Sequence, residues 1–482
     1  MYTLLFLILL AVPIYSVNLQ VPFFLDHHKL QEQQNTLKLK TIYHHASANG
    51  PIPKLFRKLD VDQELLSVNQ QHKHIYDIKS KLSMMDRPSA ADRDDLLLEI
   101  NNSRDKLVRW NTLTSEQQYR AMHLESTIGV VPDVTHRPSV LSLAMMTYNA
   151  YLDIDLNNTE WYDLGAAWHL NKSFGWETDG IRGHIFASED DSLIVVSIKG
   201  TSAGLWTGGP TGEKDKINDN MLFSCCCARI SRAWTPVCNC YQGNEYRCES
   251  KCLEKNISQT DLYYDNALAI FNQVYNQYPN STIWLTGHSL GGAVASLVGI
   301  TFGVPTVTFE VPGDRLAAAR LHLPHPPGAR SPIWHFGHTA DPIFVGVCTG
   351  PVSSCWYGGY AMETRCHTGK VCVWDTVKDK GWRVDIRSHR VRDVIDGILL
   401  KPDEFPMPVC EEEKECDDCG LWQYFDERDP PPFISSSTEG PTTTSKDITT
   451  TSEESTTTSE NASTTTSEHA TTTTTASYRF SF

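Results

Sequence analysis

The second half of the chain alternates continuous apolar runs with segments of helical period. The runs that suit buried strands are LIVVSI at 193–198, IWLT at 283–286, PTVTFE at 305–310 and IWHFG at 333–337. Between the first two runs, residues 261–278 place apolar side chains on one face of a helix, and Pro279 lies just past its end. Strands that alternate with helices predict an α/β fold with a parallel central sheet.

Two further helices flank these strands in the sequence. VLSLAMMTYNAYL, residues 140–152, is typical of a buried helix, and a second helix starts at Leu290. Near residue 395 the apolar positions again recur at helical spacing, which predicts a last helix with Ser388 as its N-cap.

The same pattern divides the chain into four segments. Residues 1–17 are nearly all apolar, and a run this short, against the roughly 20 residues of a membrane span, predicts either a signal anchor or a cleaved signal peptide. Residues 18–135 show few clear periods and are interpreted as a lumenal spacer with a peripheral layer. Residues 136–428 form the predicted catalytic domain. Residues 429–482 repeat Thr-Thr-Thr-Ser-Glu and predict a disordered tail, because they have almost no apolar side chains to bury.

Charge and cysteine content narrow the class of protein. The net charge of −16 argues against a nucleic-acid partner, which would need a basic surface. Fourteen cysteines in two clusters behind an apolar leader indicate disulfides in the secretory pathway, although spacing does not reveal their pairing. Cys416-x-x-Cys419 is also a zinc-type spacing, but no second pair stands at ligand distance, so we predict no metal and no cofactor.

Glycosylation sequons support the same compartment. Asn-x-Ser/Thr occurs six times. Six such sequons in a chain that also has an apolar leader fit a glycosylated lumenal protein better than chance occurrence. The predicted glycosylation sites are Asn101, Asn157, Asn171, Asn256, Asn280 and Asn461.

The strongest chemical motif is Gly-His-Ser-Leu-Gly at 287–291. A predicted strand enters it and a predicted helix leaves it, which is the context of a nucleophile at a sharp strand-to-helix turn. Gly287 and Gly291 are elbow glycines that let the backbone turn, and Ser289 is the candidate nucleophile. The alternative is an inert glycine-rich turn.

A serine nucleophile needs a base and an acid that orients the base. In α/β-hydrolases the order along the chain is Ser, acid, His. Asp341 directly follows a predicted strand and is favoured over Asp314, which opens an Ala-rich helical run. His389 lies after Asp341, at the start of the last helix, and is the candidate base; the alternative is a surface histidine beside two arginines.

Two more functional groups are expected near the serine. The strand at 193–198 ends before Thr201, and the backbone N–H of Leu290 begins a helix, so these residues are candidates for the oxyanion hole. Leu205 and Trp206 lie between glycines and are candidates for a mobile lid, or else belong to an ordinary surface loop.

Several stretches resemble the class 3 lipases, and among them the fungal autophagy-related lipases that disintegrate autophagic bodies in the vacuole. These stretches are GIRGHIF (180–186), VSIKGTSAG (196–204), GHSLGGAVASLVG (287–299), FEVPGDRLAAARLHLP (309–324), HTADPIFVGVC (338–348), GYAMETRCH (359–367) and GWRVDIRSHRV (381–391). The resemblance implies an α/β-hydrolase-like fold with disulfide-rich insertions. It also implies Ser289 as nucleophile, Asp341 as acid and His389 as base.

The resemblance further implies a function and a place in the cell. It suggests a lumenal lipase and phospholipase acting on membrane phospholipids and triacylglycerol, needed for lysis of autophagic and multivesicular-body vesicles. It implies a single-pass type II protein of the endosome, multivesicular body and prevacuolar compartment that reaches the vacuole lumen. Two alternatives are a secreted esterase on soluble or polysaccharide esters, and a catalytically silent, lipid-binding hydrolase-like protein. Oligomeric state is not predicted.

Overall fold

The computed structural model describes the chain from Gln33 to Asp426 with several gaps. The described ranges are 33–45, 56–60, 76–102, 124–152, 162, 180–188, 190–202, 211–230, 235–243, 246–326 and 328–426, with backbone alone at 33–45, 56–60, 76–77 and 98–102. The strands are β1 (Gln33–His45), β2 (Phe56–Asp60), β3 (Tyr76–Pro88), β4 (Leu124–Pro132), β5 (Arg182–Ser188), β6 (Leu193–Ile198), β7 (Tyr241–Gln242), β8 (Arg247–Glu249), β9 (Thr282–His288), β10 (Thr306–Phe309), β11 (Ile333–His338), β12 (Lys370–Trp374), β13 (Cys410–Glu411) and β14 (Gln423–Phe425).

The α-helices are α1 (Ala90–Asn102), α2 (Arg137–Asn149), α3 (Gly212–Leu222), α4 (Ser250–Gln259), α5 (Tyr263–Gln277), α6 (Ser289–Phe302), α7 (Arg315–Arg320), α8 (Ser354–Gly358), α9 (Thr376–Lys380) and α10 (Val391–Val394). A 3₁₀ turn, Ile386–His389, precedes α10, and a π turn, Ile395–Leu399, continues it. Among the described residues, no helix is both long and apolar enough to cross a bilayer. The predicted leader 1–17 and tail 429–482 lie outside the described residues.

The described strands build one large sheet and one small sheet. The large sheet has the order β13-β12-β11-β10-β9-β6-β5-β1-β3-β4, with β2 paired to β1. Strands β6, β9, β10, β11 and β12 run parallel, so their carboxyl ends meet at one edge of the sheet. The predicted α/β-hydrolase-like fold with a mainly parallel centre is confirmed, and polar side chains that follow these strands are thereby brought together.

Alternate side chains of the central strands pack into two separate cores. Val195 and Trp284 join the core beneath α2 and the last helix. Val196 and Leu285 join the core beneath α5 and α6. Because successive side chains of a strand point to opposite faces, continuous apolar runs such as LIVVSI suit strands covered on both sides.

Disulfides hold the loops around this sheet. The fourteen cysteines, all in the described part of the chain, form seven disulfides: Cys225–Cys419, Cys226–Cys248, Cys227–Cys238, Cys240–Cys252, Cys348–Cys355, Cys366–Cys416 and Cys372–Cys410. The consecutive cysteines 225–227 each bond to a different segment, so one short stretch anchors three loops. Cys416 and Cys419 also bond to different partners, which removes both thiols from metal binding.

The predicted elements of the catalytic region are present, with two differences. Ser388 does not cap the last helix, since it lies within the 3₁₀ turn, whose cap is Asp385: the Asp385 side chain accepts from the backbone N–H of Arg387. Helix α10 has Arg390 as its N-cap, without a side-chain hydrogen bond. Strands β1 to β4 were not predicted, because the sequence of residues 18–135 shows few clear periods.

Substitution of Gly291 tests how closely α6 must approach the sheet. A Cβ on Gly291 would lie 2.4 Å from the carbonyl oxygen of Ile198 and 2.4 Å from the carbonyl carbon of Lys199, both backbone atoms that cannot move aside cheaply. We expect the overpacking in Gly291→Ala to cost on the order of 1–3 kcal/mol of stability, and therefore to lower the melting temperature by several degrees. Gly212→Ala is the matched control, because its Cβ would meet nothing within 4 Å. Equal melting temperatures for the two variants would contradict this packing.

Candidate active site

Ser289 occupies the sharp turn between β9 and α6. Its φ is +55°, a left-handed conformation that costs a non-glycine residue about 1–3 kcal/mol and is most often kept at functional sites. A Cβ on Gly287 would lie 2.6 Å from the carbonyl oxygen of Gly291, so the elbow glycines are needed where the sequence predicts them. The strained turn lifts the Ser289 hydroxyl to the carboxyl edge of the sheet.

Ser289, His389 and Asp341 form one chain of hydrogen bonds. His389 Nε2 lies 2.8 Å from Ser289 Oγ, and His389 Nδ1 lies 2.8 Å from Asp341 Oδ2. Asp341 Oδ1 also accepts from the backbone N–H of Ile343 at 2.9 Å. With the Asp341 carboxylate accepting from Nδ1–H, His389 Nε2 is left as the acceptor for the Ser289 hydroxyl proton.

The electrostatics of Asp341 favour its ionised form. Burial acts to raise the pKa of Asp341, but the adjacent His389 and the hydrogen bonds outweigh burial and lower this pKa to about 2. The competing candidate, Asp314, is also fully buried, but it accepts from the backbone N–H and hydroxyl of Thr368, both at 2.7 Å, and from Ser296. The structure therefore brings Asp341, and not Asp314, to His389.

Two buried histidines fix the loop that carries His389. His288 Nε2 lies 2.6 Å from the carbonyl oxygen of His389, which can only accept, so this nitrogen donates. The Tyr151 hydroxyl lies 2.7 Å from the other ring nitrogen of His288 and donates to it. Burial lowers the pKa of His288 to about 3, which keeps the ring neutral and this arrangement in place. His338 Nε2 donates in the same way to the carbonyl oxygen of Ser388, at 3.2 Å.

The predicted oxyanion residues lie on either side of Ser289. Thr201 follows β6, the parallel neighbour of β9, and Leu290 is the residue after Ser289 in the first turn of α6. The Thr201 hydroxyl hydrogen-bonds Asp219 Oδ2 at 2.7 Å. Burial raises the pKa of Asp219 well above its usual value, against the lowering effect of the Thr201 hydrogen bond. Asp219 is thus a buried acid in direct contact with a predicted oxyanion residue.

A cavity of about 600 Å³ opens beside Ser289 and His389. Its walls are largely apolar or aromatic, from Leu152, Ile343, Tyr360, Met362, Ile386 and Val391. Arginine side chains from the His389 loop also line it, namely Arg387, Arg390 and Arg392. Such a lining suits a molecule with an apolar chain and a polar or anionic group.

The remaining predicted sites are the lid candidates and the glycosylation sites. The lid candidates Leu205 and Trp206 lie outside the described residues, as do Asn157, Asn171, Asn461 and the side chain of Asn101. Asn280 is exposed in the turn before β9, where a glycan would have room. The Asn256 amide nitrogen instead donates to the carbonyl oxygen of Cys252, at 2.8 Å, on the same helix. All of these sites stay predictions.

Sequence reasoning missed Asp219, Glu310 and the His288–Tyr151 pair. Glu310 directly follows β10 and is completely buried next to Asp341. It is the last residue of the predicted strand 305–310, and an acid at a strand end is close to the signal that identified Asp341, so this signal could have found it. The roles of Asp219 and His288 depend on contacts between distant segments, which motif spacing does not reveal.

The chain matches known proteins over most of its length. Residues 228–305 match the family model described as lipase (class 3). The protein from Vanderwaltozyma polyspora described as "Putative lipase ATG15" is 50% identical over 332 residues, which are 67% of this chain and 58% of that protein. The protein from Saccharomyces cerevisiae with the same description is 42% identical over 429 residues, covering 83% of this chain and 81% of that protein.

A solved structure shows a weaker likeness. The Lip2 lipase from Yarrowia lipolytica is 17% identical, with a TM-score of 0.28, and the match covers 49% of this chain and 77% of that one. A likeness this weak does not bear on activity. The family of this chain is inferred from the relatives that are similar in sequence. By their identity and coverage, the chain belongs to the class 3 lipase family, in the group of these fungal lipase relatives.

Proposed function

We propose that this protein is a lumenal serine lipase and phospholipase that hydrolyses ester bonds of membrane phospholipids and triacylglycerol. The observation that carries the proposal is the hydrogen-bonded chain from Ser289 through His389 to Asp341 beside an apolar cavity. Membership of the class 3 lipase family supports the same reaction.

In the first half of the proposed reaction, Ser289 Oγ attacks the ester carbonyl carbon while His389 Nε2 accepts the serine proton. The tetrahedral intermediate collapses when the bond to the leaving alcohol breaks, and His389 gives its proton to that alcohol oxygen. An acyl group then remains on Ser289. In the second half, His389 Nε2 accepts a proton from water as the water oxygen attacks the acyl carbon. The bond from that carbon to Ser289 Oγ then breaks, His389 returns the proton to Oγ, and the fatty acid leaves. Asp341 stays ionised throughout and stabilises the imidazolium.

The negative oxygen of each intermediate needs donors in place before the reaction. We assign these donors to the backbone N–H of Leu290 and to Thr201, with the N-terminus of α6 adding its positive dipole. The Thr201 hydroxyl donates to Asp219 Oδ2 at 2.7 Å, which fixes the Thr201 side chain at the wall of the cavity that Ser289 also lines.

The cellular role is the finer part of the proposal. The description of the relatives as "Putative lipase ATG15" supports a lipase with a role in autophagy. Lysis of autophagic and multivesicular-body vesicles in the vacuole is what the sequence resemblance implies, and it stays a prediction. The cysteine content supports a lumenal compartment, since all fourteen cysteines are disulfide-bonded. Anchoring as a single-pass type II protein through residues 1–17 stays a prediction.

Hydrolysis by active-site variants tests the proposed chemistry. Ser289→Ala should lower kcat on a short-chain ester, triacylglycerol emulsions and phosphatidylserine vesicles by a factor on the order of 10³ or more, and Asp341→Asn by roughly 10³–10⁴. A fluorophosphonate should label the wild type and not Ser289→Ala. A wild type that neither reacts with the fluorophosphonate nor hydrolyses any of the esters would favour the alternative of a catalytically silent, lipid-binding protein. Full activity of the alanine variant would show that another residue is the nucleophile.

One arginine supports phospholipid as a substrate. Arg387 pairs with Asp385 at 2.7 Å, and Arg392 pairs with Asp396 at 3.2 Å. Arg390, adjacent to His389, also lines the cavity but makes no side-chain hydrogen bond or ion pair with any residue in the described ranges. A guanidinium matches the two oxygens of a phosphodiester in one plane, so we assign Arg390 to the phosphate of a bound phospholipid.

Replacement of Arg390 tests this assignment. Arg390→Gln should lower kcat/KM on phosphatidylcholine and phosphatidylserine vesicles by about tenfold, as expected for loss of a charge-assisted hydrogen bond, and leave diacylglycerol hydrolysis within about twofold. Arg383→Gln is the matched control, since Arg383 is an exposed arginine of the same segment that does not line the cavity. A loss confined to anionic vesicles, and shared by Arg383→Gln, would mean that the arginines respond to membrane charge and not to the phosphate.

A further inference from the structure

A second carboxyl group lies beside the candidate catalytic acid. Glu310 directly follows β10, and Asp341 follows the neighbouring parallel strand β11 by three residues. Both side chains are fully buried, and the two carboxyl groups face each other. Glu310 has a φ of +47°, and its backbone N–H donates to the carbonyl oxygen of Phe336 at 2.8 Å. A non-glycine residue is therefore kept in a strained conformation at this position.

The surroundings of Glu310 offer its carboxylate little support. No side-chain donor among the described residues reaches either oxygen, and the backbone N–H of His338 is the one group that acts to lower the pKa of Glu310. Burial and the charge of Asp341 act more strongly in the opposite direction. His338 Nε2 is 3.6 Å from Oε1, but its N–H donates to Ser388, and burial lowers the pKa of His338. A buried charge with so little support is disfavoured, and two adjacent carboxylates do not both ionise.

The other charged groups near Glu310 act in the same direction. Burial, and next the charge of Asp341, raise the pKa of Glu310 well above its usual value. Asp393, on α10, adds a smaller effect of the same sign. His389, which becomes an imidazolium during the proposed reaction, is hydrogen-bonded to Asp341.

We propose that Glu310 is a positioning residue that stays protonated and donates a hydrogen bond to the Asp341 carboxylate. This inference rests on the proposed function. Asp341 would then have three donors: the backbone N–H of Ile343, His389 Nδ1–H and the Glu310 hydroxyl. Three donors fix the carboxylate in the plane that His389 requires.

The extra donor also affects the pH range of activity. A carboxylate that shares its charge with a third donor attracts the neighbouring imidazolium less strongly. The imidazolium is therefore stabilised less, and we expect activity to extend into more acidic solution. An ionised Glu310 would do the opposite, because a second negative charge would stabilise the imidazolium.

Two substitutions separate these possibilities through the pH profile of kcat/KM on a soluble short-chain ester. Glu310→Gln keeps a neutral donor of similar shape, whereas Glu310→Leu keeps the volume and removes the donor. Glu310→Met, which is unbranched, replaces the leucine variant if that one fails to fold. Glu363→Gln is the matched control, since Glu363 is a partly buried acid that accepts from the Cys225 backbone N–H and does not line the cavity. Thermal melting and fluorophosphonate titration measure the folded, competent fraction of each variant.

The expected result is a contrast between the two substitutions. Glu310→Gln should keep the midpoint of the acid limb within about 0.3 pH units, because it conserves charge and donor. Glu310→Leu should raise this midpoint by about 0.5–1 pH unit and lower kcat/KM by about tenfold, as for a lost hydrogen bond to a charged group.

Two outcomes would overturn the inference. A midpoint lowered by about one unit or more in Glu310→Gln would mean that Glu310 is ionised in the wild type. A profile of Glu310→Leu (or Met) equal to the wild type would mean that Glu310 only fills space. Failure of the proposed function would look different, since the wild type itself would then neither hydrolyse esters nor react with the fluorophosphonate.

Discussion

His389 reaches Ser289 because its loop is tied to the sheet at three points, and the rest of the site depends on these ties. The side chain is held by Asp341 at 2.8 Å, its own carbonyl by His288 at 2.6 Å, and the preceding carbonyl by His338 at 3.2 Å. The three partners end or follow β9 and β11, in the parallel part of the sheet. A loop far away in sequence is therefore positioned by a rigid element, which is what a reaction sensitive to small displacements requires.

The buried acids give the fold a definite relation to pH. Burial raises the pKa of Glu363 to about 6, and it raises the pKa values of Asp219 and Glu310 further. In the folded protein each of these groups keeps its proton up to a raised pKa, whereas in the unfolded chain it ionises above its ordinary pKa. Its contribution to stability is therefore fully present below the ordinary pKa and is lost as the pH rises through the folded value. Asp341 has the opposite relation to pH: its pKa is lowered to about 2, so its contribution to stability is lost only as the pH falls through that value. Mildly acidic solution thus suits both the fold and the charge of Asp341.

The sequence allowed the centre of the fold to be predicted better than its periphery. Runs such as LIVVSI identify buried parallel strands because both faces are covered, and the strand ends then locate Ser289 and Asp341. Strands β1 to β4 escaped prediction because they lie towards the antiparallel side of the sheet, where no continuous apolar run is needed. The cap assigned to Ser388 was wrong because the chain first makes a 3₁₀ turn that Asp385 caps. Disulfide pairing depends on which loops meet in space, and spacing along the chain does not contain that information.

The two acids at neighbouring strand ends show why residue type alone does not assign a role. Asp341 and Glu310 are both buried carboxyls, and both follow parallel strands at the same edge. Only Asp341 has a backbone N–H and an imidazole N–H directed at its oxygens. Negative charge is most stable where donors already point, so Asp341 carries the charge and Glu310 carries the proton. Position decides between the two acids. Asp341 is the acid that contacts His389, because the end of its strand faces the loop that His288 and His338 hold in place.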